Sequence, residues 1–207
     1  LANKHIGKVS ILDPGCGTGV LSIFLVEYLV SLGKPLETIH LTAYETDLVL
    51  LKHSKKAFNY LKEWLSRKNI KLSVSIVQTD FILDNKQVLE INPGLFVSDN
   101  DSYDFIICNP PYFKLSKEDP RTKSAKSIIN GHANIYSIFM AIASKLLNPS
   151  GELIFITPRS FSSGNYFQAF RNYFFKNVEI VRAHLFHSRK DTFSTDKVLQ
   201  ETIILKC

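Results

Sequence analysis

The chain has 207 residues, of which 45% are hydrophobic, 21% charged and 12% aromatic. This balance is typical of one globular domain and excludes disordered, collagen-like and coiled-coil chains. The formal net charge of +6 lies in the second half, because residues 1–112 carry a net −1 and residues 113–207 a net +7. We therefore expect a polyanionic partner to bind the second half, although a solvated lysine-rich surface has the same composition.

Apolar runs of strand length alternate with segments of helical length. In chain order, the pattern predicts a strand at 8–13, a helix at 19–32, a strand at 39–45, a helix at 47–67 capped by Asp47, strands at 71–78 and 103–108, a helix at 135–147, a strand at 152–157, a helix at 164–175, and strands at 179–186 and 198–205. This alternation favours an α/β fold with an open, mostly parallel sheet. Ligands of such folds bind beyond the carboxyl ends of the strands, so the residues there are the first candidates for a site.

A glycine-rich turn follows the first predicted strand. Its pattern is GxGxG, and its candidate cofactor-binding residues are Asp13, Gly15, Cys16, Gly17, Thr18 and Gly19. Glycine allows positive φ angles and a close approach of the backbone to a ligand, and the helix that follows offers free N–H groups. The spacing differs from the GxGxxG of dinucleotide-binding proteins. Taken alone, this segment could also be a plain structural turn.

Acidic side chains end the next two predicted strands. Glu45, followed by Thr46, lies 26 residues after Gly19, where a carboxylate can hold both hydroxyls of a ribose. Asp80 and Phe81 end the third strand, where a carboxylate can accept from an exocyclic amine and a ring can pack on a purine. The simpler alternatives are a solvent-facing acid at the second strand and a turn acid with a core aromatic at the third. Three such strand ends in succession favour a nucleoside-containing cofactor.

The fourth predicted strand runs into the sequence Asn109-Pro110-Pro111-Tyr112. Proline fixes the backbone and removes an N–H donor, so the carbonyl groups of this turn point outward as acceptors. The Asn109 side-chain oxygen and the Pro110 carbonyl can hold both hydrogens of an amino group on a planar ring. A nitrogen held in this way can attack an electrophilic methyl group, mainly through positioning and electrostatics. A rigid Pro-Pro loop with a packed tyrosine is the alternative.

In this order, GxGxG, the acid of the second strand, Asp-Phe and NPPY resemble the class I S-adenosylmethionine-dependent methyltransferases that act on amino groups. Over residues 8–206 the chain is similar to the type II restriction–modification adenine-N6 methyltransferases of the gamma arrangement, on ANIY at 133–136, GELIFITP at 151–158 and DTF at 191–193. The resemblance implies a Rossmann-like class I methyltransferase domain with a seven-stranded, mostly parallel sheet, an antiparallel last strand and helices on both faces. It also implies S-adenosylmethionine as the cofactor and S-adenosylhomocysteine as the product.

The same resemblance implies double-stranded DNA as the substrate, with the target adenine flipped out of the helix. Tyr112 and Phe193 would sandwich the base, and Asn109 and Pro110 would bind its N6 amino group, with Asn109 also next to the cofactor. The implied catalytic set is Asn109, Pro110, Pro111 and Tyr112. No metal, side-chain nucleophile or dedicated general base is required, and a restriction endonuclease domain or subunit is the implied partner.

A basic segment follows the NPPY loop. Residues 114–126 carry five basic and two acidic side chains, and the basic ones are candidate DNA-binding residues: Lys114, Lys117, Arg121, Lys123 and Lys126. At this place they can follow a phosphate backbone. The length and polarity of the segment also predict a mobile loop, and a merely solvated loop is the alternative.

The ends of the chain differ from the family pattern. The first residue is not Met, and about seven residues precede the first predicted strand. We therefore expect a single catalytic domain over residues 1–207 that has been cut from a larger protein. The family's N-terminal segment that closes over the cofactor and its C-terminal target-recognition domain would then lie outside this chain.

The spacing of the cysteines and histidines supports neither a disulfide framework nor a metal site. The three cysteines, without CxxC spacing, favour plain thiols in a reducing compartment, and the six histidines show no metal-ligand spacing. The sequence predicts no membrane-spanning helix and no secretory signal, so we expect a bacterial cytoplasmic protein.

The alternatives to a DNA adenine-N6 methyltransferase are a protein-glutamine N5 or RNA amino-methyltransferase, and a non-catalytic nucleic-acid-binding scaffold with the same fold. Cytosine-N4 enzymes use related motifs, more usually with Ser-Pro-Pro.

Overall fold

The computed structural model describes residues 7–89, 102–129, 133–186 and 201–207. The strands are β1 (Gly7–Asp13), β2 (Leu36–Tyr44), β3 (Lys71–Val77), β4 (Tyr103–Cys108), β5 (Leu147–Pro158), β6 (Arg182–Leu185) and β7 (Thr202–Lys206). The α-helices are α1 (Val20–Ser31), α2 (Leu48–Ser66), α3 (Phe81–Asp84), α4 (Pro120–Ser124), α5 (Ile135–Lys145) and α6 (Gln168–Asn177).

The described strands form one sheet in the order β3-β2-β1-β4-β5-β7-β6. The pairs β1–β2, β1–β4, β2–β3 and β4–β5 are parallel, whereas β7 is antiparallel to both β5 and β6. This confirms the predicted mostly parallel sheet with an antiparallel last strand. The chain leaves β1 toward β2 on one side and β4 lies on the other, so the strand order reverses at β1, where ligands of doubly wound folds bind.

Helices cover both faces of the sheet, as predicted. Successive side chains of a strand point to opposite faces, and Ile11 and Leu12 of β1 accordingly belong to two different apolar clusters. The cluster around Ile11 includes buried side chains of α1 and α2. The cluster around Leu12 includes those of α3, α5 and α6. The sheet therefore lies between two layers of helices. The central strand β4 is almost entirely buried and apolar, whereas β2 and β3, toward one edge, alternate apolar with polar residues.

Most predicted boundaries agree with the structure to within a few residues, and Asp47 caps α2 by accepting from the N–H groups of Val49 at 2.7 Å and Leu50 at 3.1 Å. The predicted helix at 135–147 is too long, because α5 ends at Lys145 and β5 already begins at Leu147. Leu147 pairs with Tyr103, and the next register pair is Phe105 with Glu152. The turn sequence Asn-Pro-Ser-Gly is thus an irregularity within β5 rather than a linker before it.

The predicted helix at 164–175 begins as a 3-10 turn over Asn165–Phe167 and becomes α-helical only at α6. The predicted strand at 198–205 is described from residue 201 onward, and the predicted base-stacking residue Phe193 lies outside the described residues. Within the described ranges, no helix is long and apolar enough to cross a membrane. No group of three His, Cys, Asp or Glu side chains in those same ranges is arranged to hold a metal ion.

Candidate active site

The predicted site residues converge on one edge of the sheet. β1, β2, β3 and β4 are parallel neighbours, and their carboxyl ends lead into the glycine-rich turn, Glu45, Asp80 and Asn109 respectively. The separate motifs of the sequence therefore meet beyond the strand ends, as the α/β pattern requires. The described part of the site contains every predicted residue except Phe193.

The glycine-rich turn is held in a fixed conformation. Gly17 and Gly19 have φ angles of +54° and +86°, in the region that favours glycine. An added Cβ on Gly19 would lie 2.8 Å from the ring of Phe58, whereas one on Gly17 would meet nothing within 4 Å. Gly19 is thus fixed by packing against α2, while the backbone at Gly17 faces open space.

Asp13 stabilises this turn from inside the protein. Its side chain is fully buried, and its carboxylate accepts from the Ser22 hydroxyl at 2.6 Å and from the Gly15 N–H at 3.4 Å. Desolvation by burial raises the pKa of Asp13 from 3.8 to about 7, against the lowering effect of these hydrogen bonds. A side chain without exposed surface shapes the turn rather than touching a ligand, so the structure does not support the predicted direct cofactor contact of Asp13.

Cys16 and Thr18 fill the variable positions of the turn. Cys16 is buried, and its N–H donates to the carbonyl of Tyr44 at 2.9 Å, which ties the turn to the end of β2. Burial raises the pKa of the Cys16 thiol to about 12, so it stays protonated and unreactive at neutral pH. Thr18 is exposed, at the rim of the turn.

Glu45 connects the end of β2 to the glycine-rich turn. One carboxylate oxygen accepts from the Gly17 N–H at 3.0 Å, and the other accepts from Thr46 and Asp47 N–H groups at 2.7 and 2.8 Å. A carboxylate has about four acceptor positions, of which these contacts use three. One position stays free, so a ribose that donates both of its hydroxyls to Glu45 must displace one of these main-chain contacts. Thr46 contributes its main chain to this arrangement.

Asp80 and Phe81 differ in their exposure. Asp80 is partly exposed and caps α3, because one of its oxygens accepts from the N–H groups of Ile82 at 2.9 Å and Leu83 at 3.1 Å. The Phe81 ring is only 2% exposed and packs against Tyr44 at 5.1 Å between ring centroids. The predicted stacking of Phe81 on a purine does not fit this arrangement, because Tyr44 and Phe139, the latter at 5.2 Å between ring centroids, already pack against the buried ring.

Arg121 lies at this acidic end of the site. Its guanidinium donates to Asp119 at 2.6 and 2.9 Å and to the second oxygen of Asp80 at 3.4 Å. These contacts, those with Asp119 foremost, raise the pKa of the guanidinium further above its usual range. The predicted phosphate contact of Arg121 is not what the structure shows, because two carboxylates already occupy this side chain.

The NPPY turn brings its polar groups together at the end of β4. Asn109 and Pro111 are exposed, Pro110 is buried and Tyr112 is half-buried. The Tyr112 hydroxyl contacts the side-chain amide of Asn109 and lies 2.9 Å from the main-chain carbonyl of Ile156 in β5. Burial raises the pKa of this phenol above its usual range. An exposed amide beside a fixed aromatic ring is suited to binding a flat molecule that carries an amino group.

The segment at 114–126 is folded rather than a freely mobile loop. Leu115 is buried, and its N–H donates to the carbonyl of Ala133 at 2.7 Å. Ala125 is also buried, and Asp119 caps the short helix α4. The buried apolar residues anchor this segment to the core, and its mainly polar composition did not predict such packing. Lys114, Lys117, Lys123 and Lys126 remain on the surface, and Lys123 pairs with Glu118 at 2.8 Å.

Three residues that hold the site residues in place were not predicted from the sequence. Phe58 packs under Gly19, Asp119 holds Arg121, and the carbonyl of Ile156 receives the contact from Tyr112. Phe58 and Ile156 carry no motif, because one acts through ring packing and the other through its main chain. Asp119 could have been recognised as a helix cap from the sequence DPRT, in which proline follows an aspartate.

Comparisons with known proteins agree with this geometry. A family model described as Eco57I restriction-modification methylase matches residues 22–193. The chain is 32% identical to the type II methyltransferases M.PstI of Providencia stuartii and M.BsuBI of Bacillus subtilis, over 99% of this chain and 39% and 40% of those proteins. It thus spans about two fifths of the length of these relatives. It is also 28% identical to a tRNA1(Val) (adenine(37)-N6)-methyltransferase of Aliivibrio salmonicida, over 88% of this chain and 61% of that protein.

The fold has close neighbours among solved structures. A class I S-adenosylmethionine-dependent methyltransferase of Listeria monocytogenes superposes with a TM-score of 0.66, covering 96% of this chain and 53% of that one at 22% sequence identity. The sheet order, with its antiparallel strand between β5 and β6, is therefore that of the class I methyltransferases, as the sequence predicted. Fold and family together imply S-adenosylmethionine as the cofactor.

Proposed function

The chain belongs to the Eco57I restriction-modification methylase family, and from this premise we propose that it is the catalytic domain of a DNA adenine-N6 methyltransferase. The observation that carries the proposal is the exposed Asn109 amide at the end of β4, on the same sheet edge as the glycine-rich turn, Glu45 and Asp80. In this proposal an amino-group acceptor site and a nucleoside site share one edge of the sheet. In a restriction–modification system, the counterpart would be a restriction endonuclease domain or subunit.

The residues at the strand ends fit S-adenosylmethionine. A Cβ at Gly17 would meet no protein atom within 4 Å, so the backbone there borders space that a ligand can fill. In our proposal Gly15, Gly17 and Gly19 allow the cofactor to approach, Glu45 with Thr46 faces the ribose, and Asp80 accepts from the adenine amine. When bound, the cofactor supplies an electrophilic methyl group.

The chain's own part in the transfer is to hold and activate the target nitrogen. The Asn109 side-chain oxygen and the Pro110 carbonyl accept the two hydrogens of the N6 amino group, and Pro111 keeps the turn rigid. These acceptors draw the lone pair out of conjugation with the ring and stabilise the positive charge that develops on nitrogen. The proton then leaves to water after transfer, so no side chain has to act as a base. We assign the faces of the flipped base to Tyr112 and Phe193.

The choice of DNA rests on charge and on relatives. The net charge of +7 over residues 113–207 attracts a polyanion, and Lys114, Lys117, Lys123 and Lys126 lie on the surface just after the NPPY turn. M.PstI and M.BsuBI are named type II methyltransferases. Adenine is favoured by Asn at the first position of NPPY and by the name of the tRNA1(Val) relative, which methylates adenine N6.

RNA is the second candidate substrate. The tRNA1(Val) relative shares 28% identity over 88% of this chain, and its name gives an adenine N6 in RNA as its target. The lysines after the NPPY turn bind RNA phosphates as well as DNA phosphates, because the contact is electrostatic. The two candidates differ in the nucleic acid that becomes methylated, and this is what the experiment must measure.

The test is to express the intact gene in a host without DNA methylation and to analyse its nucleosides by mass spectrometry. We expect N6-methyladenine in DNA with the wild type and with Asn59→Ala, an exposed asparagine on α2, but none with Asn109→Ala. Cofactor binding by Asn109→Ala should stay close to that of the wild type. Methylated adenine in RNA alone would favour the second candidate, and equal loss of transfer and cofactor binding would contradict the catalytic role of Asn109.

A further inference from the structure

The Tyr112 hydroxyl lies between two oxygen atoms that are both hydrogen-bond acceptors. One is the main-chain carbonyl of Ile156 at 2.9 Å, and the other is the side-chain amide of Asn109, contacted at the Oδ1 position. A phenol has one proton and can donate to only one of them. The other contact is favourable only if the partner donates to the phenol oxygen.

The Ile156 carbonyl is the fixed acceptor of the two. It belongs to β5, and a main-chain carbonyl has no hydrogen to donate. The register between β4 and β5 ends with the pair Cys108 and Phe155, one residue before Ile156. The phenol therefore adds a hydrogen bond just beyond the last β4–β5 register pair. Its proton belongs to this carbonyl, and burial keeps the phenol protonated by raising the pKa of Tyr112.

The amide of Asn109 can adapt to this constraint. Rotation by half a turn about the last side-chain bond exchanges its oxygen and nitrogen, and the positions of the heavy atoms do not distinguish the two orientations. With the phenol proton donated to Ile156, Asn109 must present Nδ2 to the phenol oxygen. Oδ1 then points away from Tyr112, toward the exposed side of the turn.

We propose that the Tyr112 hydroxyl is a positioning group for the Asn109 amide. Because it donates to the Ile156 carbonyl, it accepts from Nδ2 of Asn109 and thereby orients Oδ1 toward the amino group to be methylated. This inference rests on the proposed function, since only a donating amine needs Oδ1 in that position. Without the hydroxyl the amide is free to turn its own NH₂ group toward the target, where hydrogens would face hydrogens. A chain of hydrogen bonds also polarises the terminal oxygen and makes it a stronger acceptor.

The variant Tyr112→Phe separates this role from stacking, because it keeps the ring and removes only the hydroxyl. We expect the single-turnover rate of methyl transfer to fall about tenfold, the effect of losing one well-placed hydrogen bond. The dissociation constant for S-adenosylmethionine, and the fluorescence of 2-aminopurine at the target position, should change by less than about twofold, since neither depends on the amide orientation. The matched control is Tyr136→Phe, which removes a hydroxyl that pairs with Ser160 at 2.8 Å in a neighbouring ring 6.4 Å away. This control should transfer methyl groups at the wild-type rate.

A double-mutant cycle tests the pathway through Asn109. Asn109→Asp replaces the amide by a carboxylate, which accepts at both ends, so its rotation no longer matters. In this background Tyr112→Phe should not lower the single-turnover rate any further, because no amide orientation is left to be lost. An equal loss in both backgrounds, or a wild-type rate for Tyr112→Phe alone, overturns the inference.

The amide orientation can also be observed without methyl transfer. In protein labelled with ¹⁵N at asparagine, the side-chain signal of Asn109 is identified by its loss in Asn109→Asp. It should shift in Tyr112→Phe and stay in place in Tyr136→Phe, and an unshifted signal in Tyr112→Phe contradicts the inference. If the wild type makes no N6-methyladenine, the proposed function fails, but this signal still decides whether Tyr112 orients Asn109.

Discussion

The three glycines of the GxGxG turn are expected to respond differently to the same small change, replacement by alanine. At Gly19, the φ of +86° costs an L-residue about 1–2 kcal/mol. The new Cβ would also lie 2.8 Å from the ring of Phe58, which is 2% exposed and cannot swing aside. Overpacking of this kind costs about 1–3 kcal/mol, so Gly19→Ala should lower the free energy of unfolding by about 2–5 kcal/mol.

The other two positions separate strain from packing and from ligand contact. Gly17→Ala carries only the cost of its φ of +54°, about 1–2 kcal/mol, because no atom lies within 4 Å of the new Cβ. At Gly15 the new Cβ makes ordinary contacts, 3.8 Å from Phe139 and 4.0 Å from Cys108. The unfolding free energy of Gly15→Ala should therefore be unchanged or higher by about 0.4–1 kcal/mol, through the reduced entropy of the unfolded chain.

Urea unfolding measures these differences directly. With a slope of about 2–3 kcal/mol per molar urea, Gly19→Ala should unfold about 1–2 M earlier than the wild type. Gly15→Ala should unfold with the wild type, so any loss of S-adenosylmethionine affinity in calorimetric titration would come from a methyl group in the ligand's space. Equal midpoints for Gly19→Ala and Gly17→Ala would refute the role of Phe58. A large destabilisation in Gly15→Ala would refute the assigned geometry of the turn.

Two further predictions concern charged groups of the site. Asp13 ionises at about pH 7 in the folded protein and near 3.8 when exposed, so the folded state holds the extra proton and its stability falls as pH rises from about 4 to about 7. Asp13→Asn should remove this part of the pH dependence of the urea midpoint, and an identical pH profile in both proteins would contradict the raised pKa. Arg121 is already bound by Asp119 and Asp80, so Arg121→Gln should leave the salt dependence of DNA binding unchanged, whereas Lys117→Gln should reduce its slope by about one phosphate contact. Filter-binding titrations across a range of salt concentrations measure both slopes, and an equal reduction would restore the predicted phosphate contact of Arg121.

The amino-acid sequence by itself determined the fold class and the place of the candidate site. The alternation of apolar runs fixed an α/β fold, and the polar residues after each run marked where the site must lie, because parallel strands bring their carboxyl ends to one edge. Thus the glycine-rich turn, Glu45, Asp80 and Asn109 could be predicted from position alone. The helix cap at Asp47 was equally local, since its side chain accepts a hydrogen bond from the N–H group only two residues further along the chain.

Only the tertiary structure decided which groups contact each other across the chain. The carboxylate of Asp80 meets Arg121, which lies 41 residues away, and the hydroxyl of Tyr112 meets a carbonyl 44 residues away. Neither pair has a local pattern, because the contact depends on how α4 and β5 are placed against the sheet. Burial likewise assigned Phe81 to the core and raised the pKa of Asp13. Sequence periodicity determines which face of an element is apolar, whereas pairing between distant polar atoms depends on the packing of the whole domain.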